Sequence, residues 1–405
     1  MSDLASLGGE ALRKKAWPTW PCFEQDEIDA ASSVLASGKV NYWTGNECRR
    51  FEQEFADFVG RKHAIALANG TLALELALMA YDIGPGDEVI VPARTFIATA
   101  SCAVMRGAIP VVADVDPVTQ GLSAASISQV LTARTKAIIV VHLAGIPCDM
   151  DPIMALAEAR GLVVIEDCAQ AHGGSYKGRP LGAIGHCSAF SFCQDKIMTT
   201  GGEGGIFLLD DEDRWKKAWS YKDHGKSWSA VHDTVHPPGF RWLHESFGTN
   251  WRMTEMQAAI GRRQLNKLSV WSERRRANVE RLSAGLAKIP GVRVEPFPEW
   301  GQSACYKYYA FVDAGSLAGG WNRTRVVDAI AAEGIPCMAG TCSEIYREKA
   351  FVNAGLGPAA PHPVAVALGE TSVMFQVHHT LTDTEIDDTC AAVAKVMAVA
   401  AAGGL

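Results

Sequence analysis

The chain lacks any block of basic residues and any acidic tail, and its formal net charge of −7 is spread along 405 residues. Such a distribution argues against nucleic-acid binding, which leaves a basic patch or arm as its electrostatic footprint. No apolar run approaches the roughly twenty residues needed to span a bilayer. The start, MSDLASLGGEALRKKAW, has no apolar core of signal-peptide length. A soluble cytoplasmic protein without a membrane partner is expected. The eleven cysteines form neither CxxC pairs nor a dense framework, standing at scattered positions such as Cys102, Cys168, Cys187, Cys305 and Cys390. That usage fits reduced thiols and argues against a disulfide scaffold or a zinc site, so no metal is expected.

What is present is a large apolar fraction, 48% of residues, enough to bury a substantial core in two domains. The first forty residues join a Pro/Trp segment, WPTWPCF, to an amphipathic helix; alone such a helix is marginal, so an arm packed on another part of the molecule is expected. A second helix is read over 47–59. The apolar run HAIALAN then ends in Asn69-Gly70-Thr71 and changes at once to helical periodicity. Free amides and a helix dipole at such a turn make an anion site; an ordinary helix cap is the alternative.

From GPGDEVIVPARTFIATASCAVM through LVVIEDCAQAHG, short β-rich runs alternate with helices of about ten residues. The pattern predicts an α/β fold with a mainly parallel sheet wrapped by helices on both faces. Ligands collect at the carboxyl ends of strands in such sheets. Asn69-Gly70-Thr71, Thr95-Phe96, Asp167 to Gln170 and Ser191 to Lys196 all lie at those ends.

Lys196 follows the buried run FSF and precedes glycines 201, 202, 204 and 205. Held in a partly dry pocket, its amine is a nucleophile suited to Schiff-base chemistry with a carbonyl cofactor. Asp167, placed directly after VVIE, needs a cationic or hydrogen-bonding partner if buried. Pyridoxal phosphate supplies one in its protonated ring nitrogen. Phe96 is then placed to cover one ring face, with the Gly70 and Thr71 amides and the Ser191 hydroxyl on the phosphate. Taken singly, each residue has a plainer reading: a surface lysine, a helix-capping aspartate, a core aromatic, a strand-end serine. Four suitable groups at four strand ends make coincidence the weaker account.

The stretches ANGTLALELAL, GPGDEVIVPARTFIATA, GAIPVVADVDP, TKAIIVVHLAG, VIEDCAQAHGG, FSFCQDKIMTTGGEGG and NWRMTEMQAAIG, in this order and spacing, resemble the pyridoxal-phosphate-dependent sugar aminotransferases of the DegT/StrS type. The resemblance covers nearly the whole chain. It implies a fold of the aspartate aminotransferase type (fold type I): a large domain with a mainly parallel seven-stranded sheet, a smaller C-terminal α/β domain, and a homodimer with shared active sites. It implies Lys196 as the Schiff-base lysine, Asp167 as the ring-nitrogen partner and Gln170 beside the phenolic oxygen. Phe96 is the stacking aromatic, Gly70, Thr71 and Ser191 hold the phosphate, and Asn250 reaches it from the second subunit. The implied donor is glutamate or glutamine, and the acceptor a nucleotide-linked keto-sugar or a keto-cyclitol, in polysaccharide or natural-product biosynthesis.

Boundaries are placed to give an arm over 1–40, a cofactor domain over 41–265 and a smaller domain over 266–405. The segment from Lys222 to Phe247 carries His224, His232, His236 and His244 without rigid ligand spacing, and reads as a mobile loop over the substrate entrance rather than a metal site. Lys222, His224, Arg252 and His378 are candidate substrate contacts; a structural salt bridge is the competing role for Arg252. Gln376 and His379 stand where many relatives carry prolines, which bears on the substrate and not on the cofactor. Other readings are a dehydratase, disfavoured because such relatives have histidine in place of the lysine, a lyase using Cys168 or Cys193, and a regulator without catalysis, for which no DNA-binding module is evident.

Overall fold

The structure is a computed structural model that describes residues 4–236 and 242–401. Seven strands form its main sheet: β1 (His63–Leu67), β2 (Glu88–Pro92), β3 (Ile109–Ala113), β4 (Thr135–Val141), β5 (Val163–Asp167), β6 (Cys187–Ser191) and β7 (Gly205–Leu209), in the order β1-β7-β6-β5-β4-β2-β3. The neighbours from β3 across to β6 pair in parallel, and β7 alone runs opposite to both of its neighbours. The reversal has a local cause. The connection from β6 to β7, residues 192–204, contains no helix to carry the chain back across the sheet, so β7 returns antiparallel. The carboxyl ends of β1, β2, β4, β5 and β6 therefore share one edge with the start of β7. Gly205 opens β7 there, paired to both Leu67 and Ser191.

Strands such as β2 and β6 are buried along their whole length because helices cover both faces. Behind β6, Phe51 and Phe55 of the helix Glu47–Val59 meet Phe192 with ring centroids 5.3 Å apart in each case. Pairs of this kind stabilise by about 0.5–1.5 kcal/mol each beyond their burial. They fix the base of the loop that carries Lys196.

A second sheet is built from β8 (Val292–Arg293), β9 (Lys307–Val312), β10 (Cys337–Met338) and β11 (Ser372–Gln376), in the order β8-β9-β11-β10, all antiparallel. It has its own apolar core, with Leu282, Tyr308, Ile330, Phe375 and Val393 among its members. The helix Glu255–Leu286, opened by a capping box of Thr254 and Gln257, runs from the main sheet to this second core. Residues 4–40 pack along both. The helix Gln25–Ser37 lies on Glu255–Leu286, where Lys267 faces Glu24, Asp26 and Glu27. Buried Arg13 pairs with Glu385 at 2.7 Å and Asp388 at 2.6 Å. Among the described residues no helix is long and apolar enough to cross a membrane.

The segment 222–247 departs from the reading of a mobile entrance loop. Its described part includes a short helix, Trp228–His232, with His232 stacked on Trp228 at 3.9 Å and Trp228 packed on Trp219 at 4.8 Å. Residues 237–241 of that reading lie outside the described residues. None of the segment's described residues lines the cavities below.

Candidate active site

Two adjoining cavities open at the shared strand edge, an inner one of about 680 Å³ and an outer one of about 590 Å³. Phe96, Gln170, Asp195 and Lys196 border both. The floor of the inner cavity is made by the strand ends. Asn69 caps the helix Gly70–Ala80 by accepting from the Leu72 amide at 3.0 Å, which leaves the Gly70 and Thr71 amides pointing outward at a helix N-terminus. Side chains here would not fit. A Cβ on Gly70 would stand 2.7 Å from Cβ of Ser191, and one on Gly205 would stand 2.3 Å from the carbonyl of Asn69. Glycine at both positions lets the turn after β1 press against the end of β6 and complete the anion cradle. Ser191 Oγ accepts from the Cys193 amide at 3.3 Å and keeps its proton for a ligand.

Asp167 ends β5, buried at the cavity floor. Its Oδ2 accepts from Thr99 Oγ1 at 2.8 Å and its Oδ1 from the Ala169 amide at 3.2 Å. Burial pushes its carboxyl upward, and the Thr99 and Ala169 bonds only partly offset this. No cationic side chain pairs with it among the described residues. A buried acid in that condition calls for a cationic ligand. Gln170 is held by its own carbonyl, which accepts from the Ala144 amide at 2.7 Å, so its amide nitrogen is free to donate into the cavity. Phe96 stays 66% exposed at the cavity mouth, an unusual state for a phenylalanine on a rigid strand end.

Lys196 stands on the loop between β6 and β7, its Nζ 3.5 Å from Asp195 Oδ1. Backbone bonds hold that loop. Gln194 donates to Gly202 O at 2.9 Å and Lys196 to Cys193 O at 3.0 Å, while Thr199 N reaches Gln264 Oε1 at 2.7 Å. The arm adds a clasp, since Trp20 Nε1 donates to Lys196 O at 2.7 Å. Gly201 and Gly202, with φ of 82° and 117°, supply the left-handed turn that returns the chain to β7.

The outer cavity is walled by the second sheet and the arm. Trp17 Nε1 donates to Gln376 Oε1 at 3.0 Å, and His378 Nε2 lies 3.2 Å from that same oxygen. Burial, with Arg275 and Lys307 nearby, pushes His378 down to about 3, so it sits here as a neutral imidazole. Tyr306 donates its hydroxyl to Asp195, joining the wall to the Lys196 loop.

The residues expected at the site thus divide. Gly70, Thr71, Phe96, Asp167, Gln170, Ser191 and Lys196 converge on the inner cavity, and His378 borders the outer one. Lys222, His224, Asn250 and Arg252 line neither. Lys222 is buried with Nζ 3.5 Å from the Tyr42 ring centroid, and Arg252 Nη1 binds Asp223 Oδ1 at 2.6 Å, the salt-bridge role. His224 and Asn250 are exposed on that same side. The reading of the residues missed Asp195, Tyr306, Lys307 and the two arm tryptophans as site residues. Only the unusual density of aromatics in WPTWP and CYKYY pointed to them. Cys168 is buried and its thiol is pushed well up by burial, which does not suit a nucleophile. One group of metal-type ligands occurs among the described residues, His142, Glu166 and Cys168. The Glu166 oxygens there already accept from His142 and from the Gly182, Ile184 and Gly185 amides.

A helix N-terminus with free amides, a buried acid without an ion-pair partner among the described residues, an exposed aromatic face and an amine around one cavity suit a flat heteroaromatic ring carrying a phosphate and a carbonyl. Comparisons with known proteins agree. GDP-perosamine synthase of Caulobacter vibrioides is 37% identical, over 86% of this chain and 89% of that protein. L-glutamine:2-deoxy-scyllo-inosose aminotransferase of Streptomyces fradiae is 38% identical, over 76% of this chain and 74% of its own length. The crystal structure of an aminotransferase from Psychrobacter cryohalolentis superposes with a TM-score of 0.91 at 55% identity, covering 93% of this chain and 98% of that one. These neighbours have fold type I, matching the α/β architecture described above. With residues 21–394 matching as well, the chain belongs to the DegT/DnrJ/EryC1/StrS aminotransferase family, whose enzymes depend on pyridoxal phosphate.

Proposed function

We propose that the protein transfers an amino group from L-glutamine or L-glutamate to a keto-sugar, most simply a nucleotide-linked one, in amino-sugar biosynthesis. The observation that carries this is the convergence of Lys196, Asp167 and the Gly70–Thr71–Ser191 cradle on one cavity beside a second that is large enough for a sugar. Pyridoxal phosphate, when bound, supplies a carbonyl for the nitrogen and a ring that takes up the electron pair released at the donor's α-carbon. The Gly70 and Thr71 amides with Ser191 Oγ would hold its phosphate, and Asp167 would keep the ring nitrogen protonated. Gln170 Nε2 would donate to the phenolic oxygen, and Phe96 would cover one ring face. Lys196 Nζ removes the proton from the donor's α-carbon, and in the second half of the cycle returns one to the acceptor carbon that receives nitrogen. Asp195 and the Trp20 bond to Lys196 O keep that amine directed at the cavity.

A second reading, a keto-cyclitol acceptor, is favoured by the scyllo-inosose relative. The outer cavity's position between the arm and the second sheet suits either ring. Reacting the enzyme with L-glutamine or L-glutamate and then with nucleotide-linked 3-keto and 4-keto sugars and keto-cyclitols, with products read by mass spectrometry, decides between them. A cofactor spectrum unchanged by both donors would overturn the aminotransferase reading.

Two copies sharing their sites form part of the proposal. Asn250 is exposed and lies outside its own chain's cavity, and Phe247 nearby is 98% exposed. A neighbour's phosphate would give Asn250 its partner. Cofactor affinity should then fall as the protein is diluted into monomers; tight binding by an isolated monomer would refute the sharing. The seven-stranded and four-stranded sheets support reading the chain as an arm over 1–40, a cofactor domain over 41–265 and a smaller domain over 266–405, with the last boundary inside the helix Glu255–Leu286 and a small third sheet joining Gly301–Gln302 to Ser175–Tyr176 across it.

A further inference from the structure

Lys307 opens β9, opposite Gln376 of β11, and its half-buried side chain borders the outer cavity. Its Nζ lies 5.0 Å from the centroid of the Tyr306 ring, and Lys196 Nζ lies 5.1 Å from the same centroid. The two amines are therefore no farther apart than those distances laid end to end. A second ammonium this near the reacting lysine needs a counterion.

The described residues do not provide one within ion-pair distance. Asp195 is the nearest acid, but its Oδ2 takes the Tyr306 hydroxyl and its Oδ1 faces Lys196 Nζ at 3.5 Å. No carboxylate pairs with Lys307 Nζ, and no hydrogen bond reaches it, among the described residues. Arg275, behind the wall, adds positive charge while donating to the carbonyls of Cys305 and Tyr306, at 3.2 and 3.4 Å, and lying over the Trp20 ring at 5.9 Å. His378 is neutral. The remaining lining is largely apolar or aromatic, including Trp17, Tyr309, Met338 and Met374. A cation held among such walls is poorly compensated by ring faces alone and gains much from an arriving anion.

We propose that Lys307 is the docking cation for an oxyanion of the substrate, foremost the α-carboxylate of the amino donor. The inference rests on the aminotransferase reading and deepens it. The donor's carboxylate sits on the very carbon whose proton Lys196 removes, so a dock for it must lie close to Lys196. A phosphate of a nucleotide-linked acceptor is several bonds from its reacting carbon, which makes it the less natural occupant.

The test compares wild type with Lys307→Met, which keeps the stem and removes the charge, and Lys307→Arg, which keeps the charge. In the cofactor-loaded enzyme, the donor half-reaction with L-glutamine and L-glutamate is followed by absorbance; separately, glutarate and UDP are titrated by calorimetry. For Lys307→Met the half-saturating donor concentration should rise about tenfold or more, the loss of one charge-assisted contact, with the limiting rate kept within a few fold. Glutarate binding should weaken in parallel, and Lys307→Arg should recover part of both. Weakened UDP binding with unchanged glutarate would support the dock and assign it to the acceptor's phosphate. Burial, reinforced by Arg275 and Lys196 and opposed by Asp195, holds the Lys307 amine down to about 8. Wild-type affinity for glutarate should therefore fall as pH rises through about 8, and Lys307→Met should lack that step. A Lys307→Met protein that handles donors, glutarate and UDP as wild type does would overturn the proposal. If wild type ignores both donors, the aminotransferase reading fails instead, and calorimetry still reads the dock.

Discussion

The floor of the site and its outer wall are built in different ways. Each floor residue ends a strand of the main sheet or lies in the short turn after one: Gly70 in the turn after β1, Phe96 in the turn after β2, Asp167 at the end of β5 and Ser191 at the end of β6. The ladder of backbone bonds fixes the strand ends that carry them, and backbone bonds within the 192–204 loop hold Lys196 beside them. The wall is assembled from the arm, β9 and β11 through side-chain bonds such as Trp17 to Gln376 and Trp20 to Lys196 O. A chemistry common to many substrates suits the floor, and a substrate-dependent fit suits the wall. Changes to the floor should therefore strike the limiting rate, and changes to the wall the apparent substrate affinity.

The largest effect is expected at Lys196. Lys196→Ala should fold and bind cofactor, yet lose covalent retention of it after borohydride reduction and lose nearly all turnover, beyond the roughly 10²–10⁴-fold typical of removing a general base. Normal turnover in that variant would erase the distinction between floor and wall. Asp167→Asn comes next, with a limiting rate roughly 10²-fold lower because the ring-nitrogen proton loses its counter-charge; half-saturating donor concentration should move much less.

Gly70→Ala probes the cradle without touching a reacting group. Its added Cβ would meet Ser191 at 2.7 Å, so cofactor affinity measured by dialysis should fall roughly tenfold, about 1.4 kcal/mol. For the wall, Trp17→Phe removes one hydrogen bond, and the expected rise in acceptor KM is about fivefold, or about 1 kcal/mol, at nearly constant kcat. A loss confined to kcat would break the comparison.

The smallest effect concerns pH. His172 behind the floor, and His378 and His379 in the wall, are each pushed down to about 3, chiefly by burial. Between about 3 and the ordinary histidine value near 6.5 the unfolded chain binds protons that the folded one refuses. Stability is thus intact above that window and is lost as pH falls through it. With two of the three histidines in the wall, hydrogen exchange at pH 5 should show β11 and the arm loosening before β5 and β6.

How much was legible follows the same division. The floor was readable because each of its groups belongs to a short local motif, an apolar run followed by the residue that matters, and alternation of strands with helices places such residues on one edge. Lys222 and Arg252 misled because charge and nearby glycine also describe a buried ion network, and only packing distinguishes the two. In the structure Lys222 faces Tyr42, and Arg252 binds Asp223. Gln376 was visible in the sequence, but its bond to Trp17 was not, since 359 residues separate the partners.

The sequence by itself determined the mainly parallel sheet and the meeting of Gly70, Thr71, Asp167, Ser191 and Lys196 at one edge of it, because strand periodicity and turn chemistry act over a few residues. Tertiary structure alone decided which aromatics wall the outer cavity and that, among the described residues, no acid pairs with the Lys307 amine there. Those outcomes depend on how distant segments pack and on which charges find partners, and no local pattern encodes either.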